Sequence, residues 1–302
     1  MKKIFTTAVA IFATTLSFSQ QDPQFSQNMF NKLYTNPGYA GTGDAICGSL
    51  LYRDQWDKFG GGPTSFVLGV DAPVSFLHGG LGLSFLSDKP GLEKNTNVKL
   101  AYSFHLNVGS GKLGIGLDAG LLQRGYDGDF RPNEAGDPLV PVGSVSGGKF
   151  DLGAGAFYNS EKFYLGISAL HLTAGEIDYG NFKSEVVAHY YFTGGINFDL
   201  SPSLKLKPSV FVKSDSKETQ ADINLNLHIK DKFWLGASYR LDDAIVVMAG
   251  FTIFENLKLG YSYDVTTSKV KDYSSGTHEL MLGYCYKIKP KPIPMLRNVR
   301  FL

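Results

Sequence analysis

A chain of 302 residues with 35 glycines, 43% hydrophobic and 13% aromatic residues and a formal charge of +1 has ample apolar mass for a core or a membrane face. This composition excludes a disordered protein, and the lack of a basic excess excludes a nucleic-acid binder, which neutralises phosphates with Lys and Arg.

Lys2 and Lys3 precede an apolar run from Ile4 to Phe18, and Ser17-Phe18-Ser19 supplies small residues where a signal peptidase cuts. Residues 1–19 are predicted to be a secretory signal peptide, with the mature chain starting at Gln20. A membrane anchor needs about 20 apolar residues, and this run is shorter and interrupted by Thr6, Thr7, Thr14 and Thr15. The first cysteine is Cys47, too far along for a lipoprotein. Within 20–44, Asp22-Pro23 can open a short helix that carries Phe25, Met29 and Leu33 at four-residue spacing on one face, and Asn36-Pro37-Gly38 ends it. The segment reads as a periplasmic arm or as a plug in a barrel mouth. Three large apolar side chains in need of burial favour the plug.

No later run reaches the 18 apolar residues of a spanning helix, but a membrane β-barrel needs only strands of about 10 residues, apolar outward and polar or small inward. Phe66, Leu68 and Val70 alternate with Ser65, Val67, Gly69 and Asp71. Ile223, Leu225, Leu227 and Ile229 alternate with Asp222, Asn224, Asn226 and His228, and Ile245, Val247, Ala249, Phe251 and Ile253 form another outward row. Leu257, Leu259, Tyr261, Tyr263 and Val265 alternate with Lys258, Gly260, Ser262 and Asp264. The same period predicts fourteen strands, near 45–55, 64–72, 79–88, 95–107, 112–124, 148–158, 162–171, 186–199, 203–213, 219–229, 232–240, 244–254, 257–267 and 277–288. An even number suits closure of antiparallel hairpins, so the prediction is an all-β, closed antiparallel transmembrane barrel over 45–288.

Connection lengths give its direction. Gly109-Ser110-Gly111, Asn159-Ser160-Glu161, Ser201-Pro202, Lys230-Asp231 and Glu255-Asn256 are tight and fall at every second connection, whereas 126–147, 173–185 and 268–276 are long. Bacterial barrels keep their short turns in the periplasm. Both termini are therefore predicted to be periplasmic, with Asp54 to Pro63 at the extracellular rim. A soluble β-sandwich is the alternative, but Tyr and Phe near both ends of the apolar face fit a lipid belt better.

Catalytic patterns do not assemble. Gly114, Gly116 and Gly120 alternate with Ile115, Leu117 and Ala119 inside a strand, without the helix that a nucleotide loop requires. Tyr126-Asp127-Gly128-Asp129 starts like a calcium loop, yet Pro132 stands where its glycine belongs. There is no G-x-S-x-G elbow; His105 and His228 fall on inward faces far apart, and His189 has no evident acid partner. No enzyme, cofactor or metal is expected.

Cys47 lies early on the first strand and Cys285 late on the last, both with inward phase, so closure brings them to one end of the seam. A disulfide forms there only if strand stagger leaves the α-carbons within about 7 Å, and the bonded and unbonded readings both stay open. Residues 289–302 alternate Lys with Pro and then turn basic and aromatic; Pro290, Pro292 and Pro294 remove three ladder donors, so this tail is expected to make periplasmic contacts through Arg297, Arg300, Phe301 and Leu302.

QNMFNKLYTNPGYAGT (Gln27 to Thr42, with Asn36, Pro37 and Gly41), YRDQWDKFGGGPTSF (Tyr52 to Phe66) followed by Asp71 and Pro73, THELMLGY (Thr277 to Tyr284) and the terminal RNVRFL resemble, in this order, the PorP/SprF outer-membrane proteins of the Bacteroidota type IX secretion system. The resemblance spans nearly the whole mature chain; the family usually has Ala where Gly38 stands. It implies a barrel serving secretion or gliding motility: a partner of secreted cargo with a type B C-terminal domain, needed for its export or surface retention, and an associate of the machine's periplasmic lipoprotein ring as well as of outer-membrane lipids.

The rim cluster Arg53, Gln55, Trp56, Asp57, Phe59, Gly60 and Pro63 then has two readings. Arg53 and Gln55 point inward and can fix the rim through a buried polar network, in which the five guanidinium donors need acceptors. Alternatively the cluster contacts docked cargo, while Trp56 can simply join the interfacial aromatic girdle. A second function class, an outer-membrane channel for small or apolar solutes, would suit a polar lumen with a plug. Inward Lys99, Lys205, Lys207, Asp118, Asp222 and Asp264 mix signs without a filter-like ring, which favours a filled barrel.

Overall fold

A computed structural model describes residues 22–128, 143–180, 183–254 and 256–287. The predicted signal peptide, the tail with its four contact residues, and most of the loop 128–147 lie outside the described residues. The strands are β1 (Ala45–Asp54), β2 (Thr64–Val74), β3 (Gly79–Lys89), β4 (Glu93–Val108), β5 (Gly111–Tyr126), β6 (Val145–Asn159), β7 (Phe163–Leu170), β8 (Gly175–Asp178), β9 (Lys183–Val186), β10 (His189–Ile196), β11 (Phe198–Ser201), β12 (Leu204–Ser214), β13 (Thr219–Ile229), β14 (Phe233–Arg240), β15 (Ala244–Ile253), β16 (Leu257–Thr266) and β17 (Thr277–Lys287).

Every barrel strand pairs antiparallel with its neighbour, β17 pairs with β1, and β10 pairs with both β7 and β12, so the sheet closes without an edge. Since β10 and β11 both lie along β12, they are one strand interrupted at Asn197, and the barrel has fourteen strands. The interruption is local: the Asn197 N–H turns to the carbonyl of Lys162, and the β11 register shifts between Asp199 and Ser201. The stretch predicted as one strand from 186 to 199 therefore begins later and breaks once. Its predicted first residue belongs to a separate hairpin, β8–β9, within a connection that the sequence suggested to be loop. This hairpin packs Ile177 and Val186 over Leu122 of β5.

Alternation sorts the side chains as the period demands. Leu117, Leu121, Ile167 and Phe233 stand on the outer face, while Asp118, Ser168 and Trp234 are buried on the inner one. The outer face is a predominantly apolar belt, which is what hydrocarbon requires of spanning strands.

Inside the barrel lies the segment from Asp22 to Thr42. Phe25 and Tyr34 pack with Leu51, Val67, Trp234 and Met281, and Leu33 and Ala40 with Ala101, so the buried apolar clusters join this segment to the inner wall. The predicted single helix is not formed. A turn at Asn28–Phe30 and a short α1 (Lys32–Thr35) are separated by Asn31, and Phe25 and Leu33 enter different clusters. The physical reason is competition for donors: the N–H groups of Ser26 and Gln27 both go to the Glu279 carboxylate at 2.8 Å. Asn36-Pro37-Gly38 does end α1, with Asn36 as its C-cap.

Candidate functional site

Towards the end carrying the long connections, five inward side chains from β1, β13, β14, β16 and β17 form one buried ionic cluster. Arg53 reaches Asp264 at 2.8 Å and Glu279 at 3.1 Å. Arg240 reaches Asp222 at 3.0 Å and the same Asp264 at 3.1 Å. Ser26 of the inner segment sits between the two guanidinium groups, its Oγ accepting from Arg53 at 2.9 Å and from Arg240 at 3.0 Å. Two cations stand against three carboxylates, and the inner segment donates to each carboxylate: backbone N–H groups of Ser26 and Gln27 to Glu279, the Ser26 hydroxyl to Asp264, and the side-chain amides of Gln24 and Asn28 to Asp222, a network that pins the segment to the wall.

A second clamp holds the start of the segment. The His171 imidazole, just beyond β7, lies 3.1 Å from the Asp22 carboxylate and 2.8 Å from that of Asp151. Burial by itself would lower the His171 pKa, but the carboxylates of Asp22 and Asp151 more than offset it and hold it at about 9. Burial likewise opposes the Asp22 charge, yet His171 and His189 bring that carboxyl well below its ordinary range. Tyr191 donates to the same carboxylate at 2.7 Å, and Lys213 to the Asp22 carbonyl at 2.6 Å. His189, which the sequence left without an acid partner, lies with His171 and Asp22, all three ligand atoms within 4.8 Å of one another. A metal does not fit this group. His189 Nε2 already accepts the Asp22 N–H at 3.2 Å, and His171 is held between two carboxylates.

The motif residues of the N-terminal segment attach it to the opposite wall. Asn36 Nδ2 donates to the carbonyls of Ala156 and Ile167 at 3.1 and 3.0 Å, and Asn36 Oδ1 accepts the Gly38 N–H at 2.9 Å. Pro37 lies against Gly116 so closely that a side chain there would collide with its backbone. Gly41 has φ +65°, donates its N–H to Asp71 at 2.9 Å, and has no room for a β-carbon, which would stand 2.5 Å from the Ala72 carbonyl. These residues therefore serve docking within the chain.

The rim set divides. Arg53 is 2% exposed and hydrogen-bonds Gln55, Ser26, Glu279 and Asp264, which places it in the interior network. Gln55 lies 3.4 Å from the Arg53 Nε and takes its own N–H to the Pro63 carbonyl at 2.9 Å. Trp56 donates its N–H to Thr277, and Asp57 exchanges backbone hydrogen bonds with Ser275 and Gly276, which clasps the β1–β2 loop onto the β16–β17 loop. The Trp56 and Phe59 rings meet edge to face at 6.0 Å, with Phe59 and Gly60 exposed and Pro63 half-buried. At the other end of the seam, Cys47 and Cys285 are directly opposed, with α-carbons 4.1 Å apart, and are joined by a disulfide.

Sequence reasoning placed Asp222 and Asp264 inward but missed Arg240 and the Asp22–His171–Asp151 clamp. Arg240 carried a usable signal, since it continues the inward phase of Trp234 and Ser238 at the end of β14. His171 carried none, because its position depends on a left-handed residue, φ +57°, just past a strand.

A family model described as type IX secretion system membrane protein PorP/SprF matches residues 17–284. No curated protein matches the sequence. Among solved structures, the Ralstonia pickettii toluene transporter TbuX is similar at 12% identity and TM-score 0.50, over 85% of this chain and 93% of that one. The CymD monoaromatic hydrocarbon channel is similar at 10% identity and TM-score 0.50, over 88% and 94%. At such identities the likeness is one of fold, and both are barrels.

Proposed function

Because the chain belongs to the PorP/SprF family of type IX secretion system membrane proteins, we propose that this outer-membrane barrel acts without catalysis, as export partner or surface anchor for a secreted protein with a type B C-terminal domain. The observation that carries this reading is the occupied lumen. A segment continuous with β1 runs through the lumen and is fastened at Asp22, Ser26, Asn36 and Gly41, which supports a barrel that presents a fixed rim.

In this reading the long connections face outward and both termini face the periplasm, following the loop-length asymmetry. Exposed Phe59 and Gly60, Trp56, and the β8–β9 hairpin form the cargo surface; residues 289–302, with Arg297, Arg300, Phe301 and Leu302, meet the periplasmic ring. The test is cargo retention in cells carrying Trp56→Ala/Phe59→Ala. The variant barrel should assemble normally, since surface loops tolerate change, while cargo on the cell surface falls. Unchanged surface cargo would overturn the rim assignment.

The second reading, a channel for small or apolar solutes, is favoured by the fold shared with TbuX and CymD. Flux of a small sugar or of toluene into vesicles holding the full chain decides between them. The anchor reading expects no flux above that of empty vesicles.

A further inference from the structure

At the end carrying the short turns, the barrel opens into a cavity of about 280 Å³ between the inner segment and the wall. Four basic side chains line it: Lys32 of α1, Lys207 near the start of β12, His228 near the end of β13 and Lys258 near the start of β16. The register explains their convergence. All three wall residues take inward positions beside short turns, and β12 opposes Lys207 to Asn226, two residues before His228 on the same face.

Two of the acids nearby are already engaged, and a third, Asp199 of β11, acts on Lys207 only through space. Asp231, in the β13–β14 turn, pairs with Lys205 at 3.0 Å. Asp71 also lines the cavity, and its carboxylate accepts the Gly41 N–H at 2.9 Å. Lys32 holds its ammonium 3.5 Å from the centre of the Tyr164 ring, which satisfies the charge on one side and leaves N–H donors over. Among the described residues, neither Lys207 nor Lys258 is within ion-pair distance of a carboxylate. Lys258 is exposed, so the site is open to solution. A concave, low-dielectric wall on which basic side chains outnumber the one carboxylate concentrates anions, and lysine binds phosphate as a point charge.

We propose that this cavity is a binding site for a phosphate-class oxyanion, held by Lys207 and Lys258, with His228 as a further donor and Lys32 behind them. Small-ligand pockets run roughly 300–1,000 Å³. The volume here lies near the lower bound, which leaves room for a phosphomonoester as well as for the bare ion.

The test uses the full chain in dodecyl maltoside micelles, in phosphate-free buffer, titrated calorimetrically with inorganic phosphate. One saturable site is expected, weakened about tenfold or more in Lys207→Gln/Lys258→Gln. That variant should keep the heat-modifiable gel mobility of the folded barrel, and Lys112→Gln, outside the cavity and paired with Asp44 at 3.4 Å, should bind like the wild type. A second arm adds short-chain phosphatidic acid to the micelles. Tighter binding than for inorganic phosphate assigns the source to a lipid headgroup, and equal or weaker binding assigns it to a soluble phosphate; either supports the site. Absence of saturable binding by both probes, or equal binding by the double variant, overturns it.

Discussion

Arg53 and Asp264 are paired at 2.8 Å across an intervening strand, each with its side chain 2% exposed. Asp264 also receives Arg240, so one carboxylate balances two buried guanidinium groups. Removing one partner of a buried pair typically costs about 3–5 kcal/mol, because the other charge stays desolvated. Asp264→Asn is therefore expected to lower the unfolding free energy by that order, read as a lower urea midpoint in micelles, and to expose residues 22–44 to protease. An unchanged midpoint would mean that the cluster contributes nothing net.

The His171 clamp gives a pH dependence of known sign. The folded imidazole sits at about 9 against an ordinary 6.5, a difference worth on the order of 3 kcal/mol. Raised pKa means stability fully present below pH 6.5 and lost as pH rises through 9. Asp22 acts in the other sense, its share being present above its ordinary 3.8 and lost as pH falls below it. The stability difference between wild type and His171→Gln, followed as thermal midpoint against pH, should be constant between about pH 5 and 6.5 and shrink towards zero by pH 10. A difference that stays flat to pH 10 would contradict the assignment.

The Cys47–Cys285 bond closes the seam between the first and last strands, over a sequence separation of 238 residues. Cross-links of this kind contribute about 2–4 kcal/mol, mainly by restricting the unfolded chain. Cys47→Ser/Cys285→Ser should leave the barrel folded and lower its unfolding midpoint accordingly. Reductant should do the same to the wild type and nothing to the variant.

Gly41→Ala meets two obstacles, a positive φ and a β-carbon 2.5 Å from the Ala72 carbonyl. Strain of that sort costs on the order of 1–3 kcal/mol. Faster proteolysis within 22–44, with the strands unaffected, is the expected result; wild-type resistance would show that the docking turn tolerates a side chain.

What the sequence displayed and what it hid follow one division. Period-two rows such as Ile223 to Ile229 fix the face of each strand, so strand number, closure and the placing of Cys47 and Cys285 at one end of the seam could be read directly, whereas the stagger that decides their bond could not. Residues 22–44 lack such a rule. Their apolar spacing suggested a helix, but partners up to 253 residues away took the backbone donors that a helix would have used. Arg53 was legible as inward, and its acceptors were not, because Asp264 and Glu279 become neighbours only once the barrel has closed.

The role in secretion is tested most directly by recovering the affinity-tagged chain, after mild in-cell cross-linking, from its native outer membrane and identifying what accompanies it. The expected result is a secreted protein with a type B C-terminal domain together with subunits of the secretion machine, the cargo diminished in Trp56→Ala/Phe59→Ala. Recovery of the barrel with lipids alone, in both wild type and variant, would contradict it.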